Sequence, residues 1–448
     1  MMATLDGSIA NTALPTIARE LNVTASASVW VVNGFQLAAV ASLFTFAALG
    51  ATRGPARIYR LGVAAFIAGS LACALVRSLP LLVIMRALQG IGAAAIMSLS
   101  PLLLRDIFPR AQLGRALGVS SVVTAMSAAA GPTVGGAILA VAPWPWLFGI
   151  NVPLGLATIV LGRAIPNEAR AHGRIDLVSM VTSAVAFGAL VYGLDGFARH
   201  EALPLIVFEV ALGIASGIVC VARQRRLEHP MISVDLFTNR TFSLAAATSC
   251  ATFLAQGVAF VTLPFYFQSE MGFSPVHSGL LLTSWPLAVA VAAPFAGRLS
   301  DRYPAAVLTT AGLAVLTAGL ALYAIMPVSA SPLQIVLHGV VCGLGFGFFQ
   351  SPNNRELLGS APREKASTAS AVLATVRVSG QTLGASFVAI VFAAFGAAAS
   401  ETNGLSAHIA AAVPVALWGS CAAAAVATFA SALRYRSGDA RAAFRPSA

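Results

Sequence analysis

Two residues of this 448-residue chain could place charge in apolar surroundings, a switchable one on Asp6 and a fixed one on Arg86. Asp6 lies in a stretch, Met1 to Pro15, whose other members are apolar, small or neutral. A carboxylate at mid-depth in a membrane helix costs about 2.5–3.5 kcal/mol on insertion scales, so it is seldom incidental. Arg86 opens the run Arg86-Ala87-Leu88-Gln89-Gly90 in another apolar stretch. Its guanidinium keeps its proton, so inside a membrane it needs a carboxylate, backbone carbonyls or water. Asp6 is a candidate partner. Loading and releasing a proton on Asp6 would change the local charge and bias a two-state bundle. A static pair, or an arginine satisfied by carbonyls alone, is the alternative.

Other polar side chains fall inside apolar segments. Asn33, Gln36, Gln89, Gln256, Gln350, Arg377 and Gln381 could line a polar cavity, or equally bond helix to helix. His338 reads as a packing histidine rather than a proton shuttle. Glu209 lies near the start of span 8, where it could simply reach the interface, and Asp195 and Asp301 fall at segment ends and are expected to be wet. Phe260, Phe265, Tyr266, Phe267 and Trp285 would suit an amphipathic or aromatic ligand, although aromatics at segment ends are also ordinary interface anchors. The run Gly131-Pro132-Thr133-Val134-Gly135-Gly136 combines a kinking proline with glycines that admit a close neighbour. It is either a packing notch or a bend shaping a path.

Several chemistries are missing from the sequence. The single lysine, Lys365, follows Glu364 and not a glycine, so there is no phosphate-binding Walker loop. Neither HExxH nor GxSxG occurs. The five cysteines have no metal-like spacing and read as small buried hydrophobes. An enzyme is not expected, nor are a metal or a cofactor.

The segments holding these residues are the larger signal. The chain is 58% hydrophobic and only 10% charged, against about 25% charged in soluble domains. The charges are bunched between apolar stretches of roughly 18–25 residues, the length that crosses a hydrocarbon core. Fourteen spans are expected, at 1–18, 28–49, 60–77, 80–104, 115–141, 146–163, 176–197, 203–222, 241–268, 275–297, 304–327, 332–352, 367–396 and 407–433. The net charge of +11 does not point to nucleic acid, because the basic residues sit in short connections. Connections after even-numbered spans, with the C-terminal tail, hold 22 of the 27 basic residues, and the opposite side holds three. This asymmetry predicts cytoplasmic termini. A Gly-containing basic connection follows span 2 and another follows span 10. That echo suggests two six-span bundles, 1–163 and 241–433, flanking a linker pair within 164–240, with a cytoplasmic tail at 434–448.

Four motifs carry a resemblance. Leu5–Pro15 resembles an LDxTIVNVALP first-span motif, and Arg86–Gly90 an RxxQG fourth-span motif. Gly131–Gly136 resembles the antiporter GPxxGG motif, and Trp146–Gly155 a W-x-F-x-I-N-x-P-x-G stretch opening span 6. In this order they resemble the fourteen-span drug:proton antiporter branch of the major facilitator superfamily. The resemblance covers essentially the whole chain. It implies an all-α membrane protein that works by alternating access, exporting lipophilic or cationic drugs in exchange for protons. Asp6 and Arg86 would then serve coupling, and Gly131, Pro132, Gly135 and Gly136 would shape the antiporter path. It further implies a protein of the bacterial inner membrane, driven by the proton gradient, with a small-molecule substrate, the lipid bilayer as its surroundings and a monomer as its expected state. A narrow exporter of one metabolite or siderophore, or a non-transporting sensor or scaffold of the same fold, are the alternatives.

Two departures stand out. The family's connection after span 2 usually reads G-x-L-A-D-R-x-G-R-R. Here Ala51 occupies the aspartate position, and Gly54 and Arg57 remain. The second copy keeps Gly297, Asp301 and Arg302. Gate latching is therefore expected to fall on Arg298, Asp301 and Arg302, with a weaker outward-facing state. The first span also looks truncated by about two or three turns. An upstream start is the expectation, the alternative being a proton site unusually open to the cytoplasm.

Overall fold

The computed structural model describes residues 1–164, 176–197, 199, 201–227, 234–362, 365–395 and 405–436. The loop at 165–175 and the tail beyond residue 436 lie outside the described residues. Helices occupy every predicted span, and we number them alike: α1 (Met2–Glu20), α2 (Trp30–Arg53), α3 (Pro55–Leu75), α4 (Leu79–Ile107), α5 (Arg110–Val141), α6 (Asn151–Leu161, after a short turn at Trp146–Gly149), α7 (Leu177–Gly196), α8 (Leu203–Gln224), α9 (Arg240–Phe265), α10 (Pro275–Leu299), α11 (Ala305–Ala324), α12 (Pro332–Gly359), α13 (Ala366–Ala394) and α14 (Leu405–Ala432). In a hydrocarbon solvent each backbone group must be satisfied within its own segment, which leaves helices as the economical answer to long apolar runs. Start signals are local. Ser274 and Ser331 accept from the backbone N–H of His277 and Gln334, and each is followed by a proline in the first turn.

By length and composition, eleven helices among the described residues can cross a bilayer. Met126–Val141 and Trp146–Leu161 are shorter apolar helices. The first helix is not among the eleven: it carries Asp6, Asn11, Arg19 and Glu20 within 19 residues. Its polar character is tolerated because most of its side chains are buried by other helices.

Helices α1–α6 and α9–α14 form two packed groups, and α7 and α8 pair with each other. Of this pair α7 also reaches α2 and α13, so it touches both groups. Among the described residues, hydrogen bonds joining the two groups gather at the end away from the basic connections. Asn33 Nδ2 donates to Ser386 Oγ at 3.0 Å, Ser26 Oγ to the Ala389 carbonyl at 3.0 Å, and Gln268 Nε2 to the Thr12 carbonyl at 2.9 Å. Thr133 and Thr283 hydroxyls meet at 2.6 Å. The molecule is therefore closed at that end. Gln268 sits in a turn of π-helix, Tyr266–Glu270, that continues α9 after Pro264. Nothing in the sequence pattern announced this turn; such turns often mark functional positions.

Candidate polar centre in the first helical bundle

Asp6 is 1% exposed and Arg86 is fully buried. Arg86 Nη1 donates to Asp6 Oδ2 at 2.5 Å and to Gln89 Oε1 at 2.5 Å. Arg86 Nε donates to the Val31 carbonyl at 2.9 Å. Asp6 Oδ1 accepts from Gln89 Nε2 at 2.9 Å and from Asn151 Nδ2 at 2.7 Å. Gln89 Nε2 also donates to Ser70 Oγ at 2.7 Å, and Ser70 in turn donates to the Phe66 carbonyl at 2.8 Å. The guanidinium lies over the rings of Phe35 (4.4 Å) and Phe148 (5.2 Å), which keep water from its faces. Arg86 Nη2 is buried with no hydrogen-bond partner.

Five helices supply this centre. The α1 register places Asp6, Ile9 and Ala13 inward, and Arg86 and Gln89 share a face one turn apart on α4. Ser70 comes from α3, the Val31 carbonyl from α2, and Asn151 from the first residue of α6. Gly69 on α3 admits the backbone of Gln89; a Cβ there would sit 2.8 Å from it. The arrangement can hold a carboxylate charged against a cation that never loses its proton. It can also register the loss of that charge through the donors aimed at Asp6.

The structure corrects several sequence expectations. Gln89, read as lining a cavity or bonding helix to helix, does the second: it is fully buried and bonded to Asp6. Asp6 is enclosed by its partners, not open to solvent at the chain's start. Asp195, expected to be wet, is 1% exposed: Trp30 Nε1 donates to it at 2.7 Å and Arg199 approaches at 3.4 Å. Phe265, Tyr266 and Phe267 are buried in helix packing, with the Tyr266 hydroxyl on the Met326 carbonyl at 2.7 Å, so they form no ligand face. Phe260 and Trp285 meet at 5.3 Å with their rings tilted by 57°. Asn151 was visible as a motif residue, but its contact with Asp6 was not foreseen; Ser70 was missed, and a lone serine in an apolar helix gives no signal.

The span-5 glycines differ among themselves. A Cβ on Gly131 would sit 2.3 Å from Ser8 Cβ, and one on Gly136 would sit 2.7 Å from the Pro275 carbonyl oxygen. Gly135 meets only ordinary contacts at 3.5 Å, so its lack of a side chain is not demanded here. On the facing helix Gly279 meets the Pro132 carbonyl oxygen at 2.2 Å from a built Cβ, a glycine that sequence reasoning overlooked. Residues of the run thus pack α5 against α1 on one side and α10 on the other.

The remaining candidates are dispersed. Asn33 bridges the two groups, and Gln36 Oε1 nearby is buried and unpartnered. Gln381 Nε2 donates to Gln256 Oε1 at 3.1 Å. Gln350 is half-buried on α12. Arg377 lies over the Phe253 ring at 5.3 Å. His338 packs edge-on to Tyr323 at 5.4 Å, as a packing histidine does. Arg199 also reaches Glu209 at 4.0 Å. In the second gate loop, Asp301 pairs with Arg355 of its own bundle, and Arg355 also bonds Ser300 at 3.0 Å. Arg57 and Arg302 are exposed, and a Cβ on Gly297 would meet open space.

Comparison with known proteins places this architecture. The chain is 46% identical over 398 residues to the uncharacterized transporter YebQ of Escherichia coli (strain K12), covering 88% of this chain and 87% of that protein. It is 31% identical over 400 residues to the riboflavin transporter RibZ of Clostridioides difficile (strain 630), covering 88% and 86%. It is 33% identical over 414 residues to the multidrug resistance protein Stp of Mycobacterium tuberculosis (strain CDC 1551 / Oshkosh), covering 90% and 75%. The model of the Major Facilitator Superfamily matches residues 1–385. With its helical bundles and buried polar centre, the chain belongs to the major facilitator superfamily of membrane transporters.

Proposed function

We propose that this transporter exports small, largely apolar molecules in exchange for protons, by alternating access, with Asp6 as the proton carrier. One observation carries the reading: a buried carboxylate held by Arg86, Gln89 and Asn151. Arg86 is permanently charged, so Asp6 is the member of the centre that can change charge. Protonation cancels its attraction to Arg86 and leaves the guanidinium to find other partners, which favours a different packing of α1 against α4. One inward proton supplies about 2.3 kcal/mol per 100 mV of membrane potential and about 1.36 kcal/mol per pH unit. Together these support roughly hundredfold substrate gradients.

The basic asymmetry of the connections supports cytoplasmic termini in the cell membrane. On that orientation the closed end faces outward. Multidrug export draws support from the likeness to Stp. Export of a single metabolite draws support from the likeness to the riboflavin transporter, and a substrate panel separates the two. The test of coupling is transport in proteoliposomes under an imposed pH gradient. Asp6→Asn is expected to abolish proton-driven accumulation, and gradient-dependent transport surviving in that variant refutes the assignment.

A further inference from the structure

Arg377 has no counter-charge. It lies eleven residues into α13, about 16 Å along the helix axis at 1.5 Å per residue. No carboxylate occurs in α9, in α13, or in α12 between Pro332 and Gln350. Nor does any other carboxylate reach it: among the described residues Arg377 makes no ion pair and no hydrogen bond. Its guanidinium lies over the Phe253 ring, which Phe346 and Phe349 of α12 buttress at 5.5 and 6.2 Å. Arg377 as a whole is half-buried. An arginine this deep is expensive, and in other positions of this chain the cost is met. Arg86 has Asp6, Arg434 has Glu356 at 2.6 Å, and Arg199 has three carboxylates.

The surroundings of Arg377 are polar but neutral. Gln381 lies one turn further along the same face of α13 and is bonded to Gln256 of α9. Gln350 on α12 is half-buried next to the Phe349 that buttresses Phe253. A fixed cation flanked by amides and an aromatic ring complements a planar, apolar molecule bearing one anionic group. The guanidinium fork would pair with a carboxylate and the amides would take its remaining polar atoms, while Phe253, itself buried, backs the guanidinium from the other side.

We propose that Arg377 makes this a transporter of small aromatic or otherwise apolar acids, with the substrate's anionic group as the missing partner of its guanidinium. The inference rests on the export reading above and replaces the expectation of cationic drugs: a cation would meet like charge at this position.

The test is calorimetric titration of the purified chain in phosphatidylcholine nanodiscs, a lipid with no net anionic headgroup to compete. The probes are matched in shape: 2-naphthoate, 2-naphthalenemethanol and 2-naphthylmethylammonium. The wild type is expected to bind the naphthoate about ten- to a hundredfold more tightly than the other two, the scale of a charge-assisted contact. Arg377→Gln should erase that preference, and Arg377→Lys should keep part of it. The inference is overturned if no probe binds the wild type, if the naphthoate binds no better than the alcohol, or if Arg377→Gln retains the preference. No gradient is involved, so the two readings fail separately. Asp6→Asn should keep the naphthoate preference, and if that variant still shows proton-driven transport, antiport through Asp6 falls while the binding result stands.

Discussion

Gly279→Ala offers a steric test of the closed end. A Cβ at Gly279 would lie 2.2 Å from the Pro132 carbonyl oxygen and 2.9 Å from its carbon. Both are backbone atoms, so no rotamer change relieves the clash. Ordinary contact begins near 3.4 Å, so α10 must withdraw from α5 by about 1 Å. Overpacking of this kind costs about 1–3 kcal/mol. The cost applies only while α5 and α10 are pressed together, so it acts on the equilibrium between conformations. The closed-to-open ratio at this end should fall by about 5- to 150-fold. The reporter is Ser386→Cys in a chain lacking its five native cysteines. Ser386 is 1% exposed beside Asn33 at the closed end. Its labelling by an impermeant maleimide from that side should accelerate in Gly279→Ala by a comparable factor. Gly297→Ala, on the same helix with open space around its Cβ, should not change the rate. Unchanged labelling in a folded Gly279→Ala protein would refute the claim that this close approach holds the end shut.

Two further outcomes follow from the buried networks. Asn151→Leu removes the 2.7 Å donor to Asp6 Oδ1 and should lower stability by about 1.5–3 kcal/mol, read as thermal unfolding in detergent, together with weakened proton-driven transport. Arg434→Ala strands Glu356 and the side-chain oxygen Oδ1 of Asn353, which Arg434 holds at 2.6 and 3.0 Å; it should cost about 3–5 kcal/mol by the same measure, while the transport that remains keeps its proton dependence.

The architecture was legible because the membrane imposes it. Apolar runs of spanning length and the one-sided placement of arginine are composition-level signals, and each predicted span coincides with a helix. The Asp6–Arg86 contact was legible for a related reason: few groups in the chain can neutralise a buried arginine. What stayed hidden depends on rotation about helix axes. Gln89 and Gln36 look alike in the sequence, both glutamines in apolar segments, yet one bonds Asp6 and the other leaves its carbonyl oxygen unpartnered. Asp195 was misread because distance from a segment end does not reveal that Trp30 of α2 and Arg199 close over it. Gly279 was missed because a glycine's neighbour across a helix pair is a tertiary fact.

Helix α1 connects the two ends of the mechanism. Asp6 faces Arg86 on α4, while Thr12, six residues further along, offers its carbonyl to Gln268 of the second bundle. Thr16, one turn beyond, donates to Gln268 Oε1 at 3.5 Å. Six residues span about 9 Å, and between these positions Ser8 is tied to the Ala128 carbonyl of α5 at 3.1 Å. Any tilt of α1 that follows discharge of Asp6 therefore reaches the Gln268 contact directly, with no relay of side chains needed. Gln268 can yield without unfolding α9, because it lies in the π-turn and not in the regular helix. On the proposed coupling, proton state and closure of the far end are thus carried by one helix. For that reason Asp6→Asn, which mimics the discharged state, should accelerate Ser386→Cys labelling as Gly279→Ala does, although it touches no residue at the closed end.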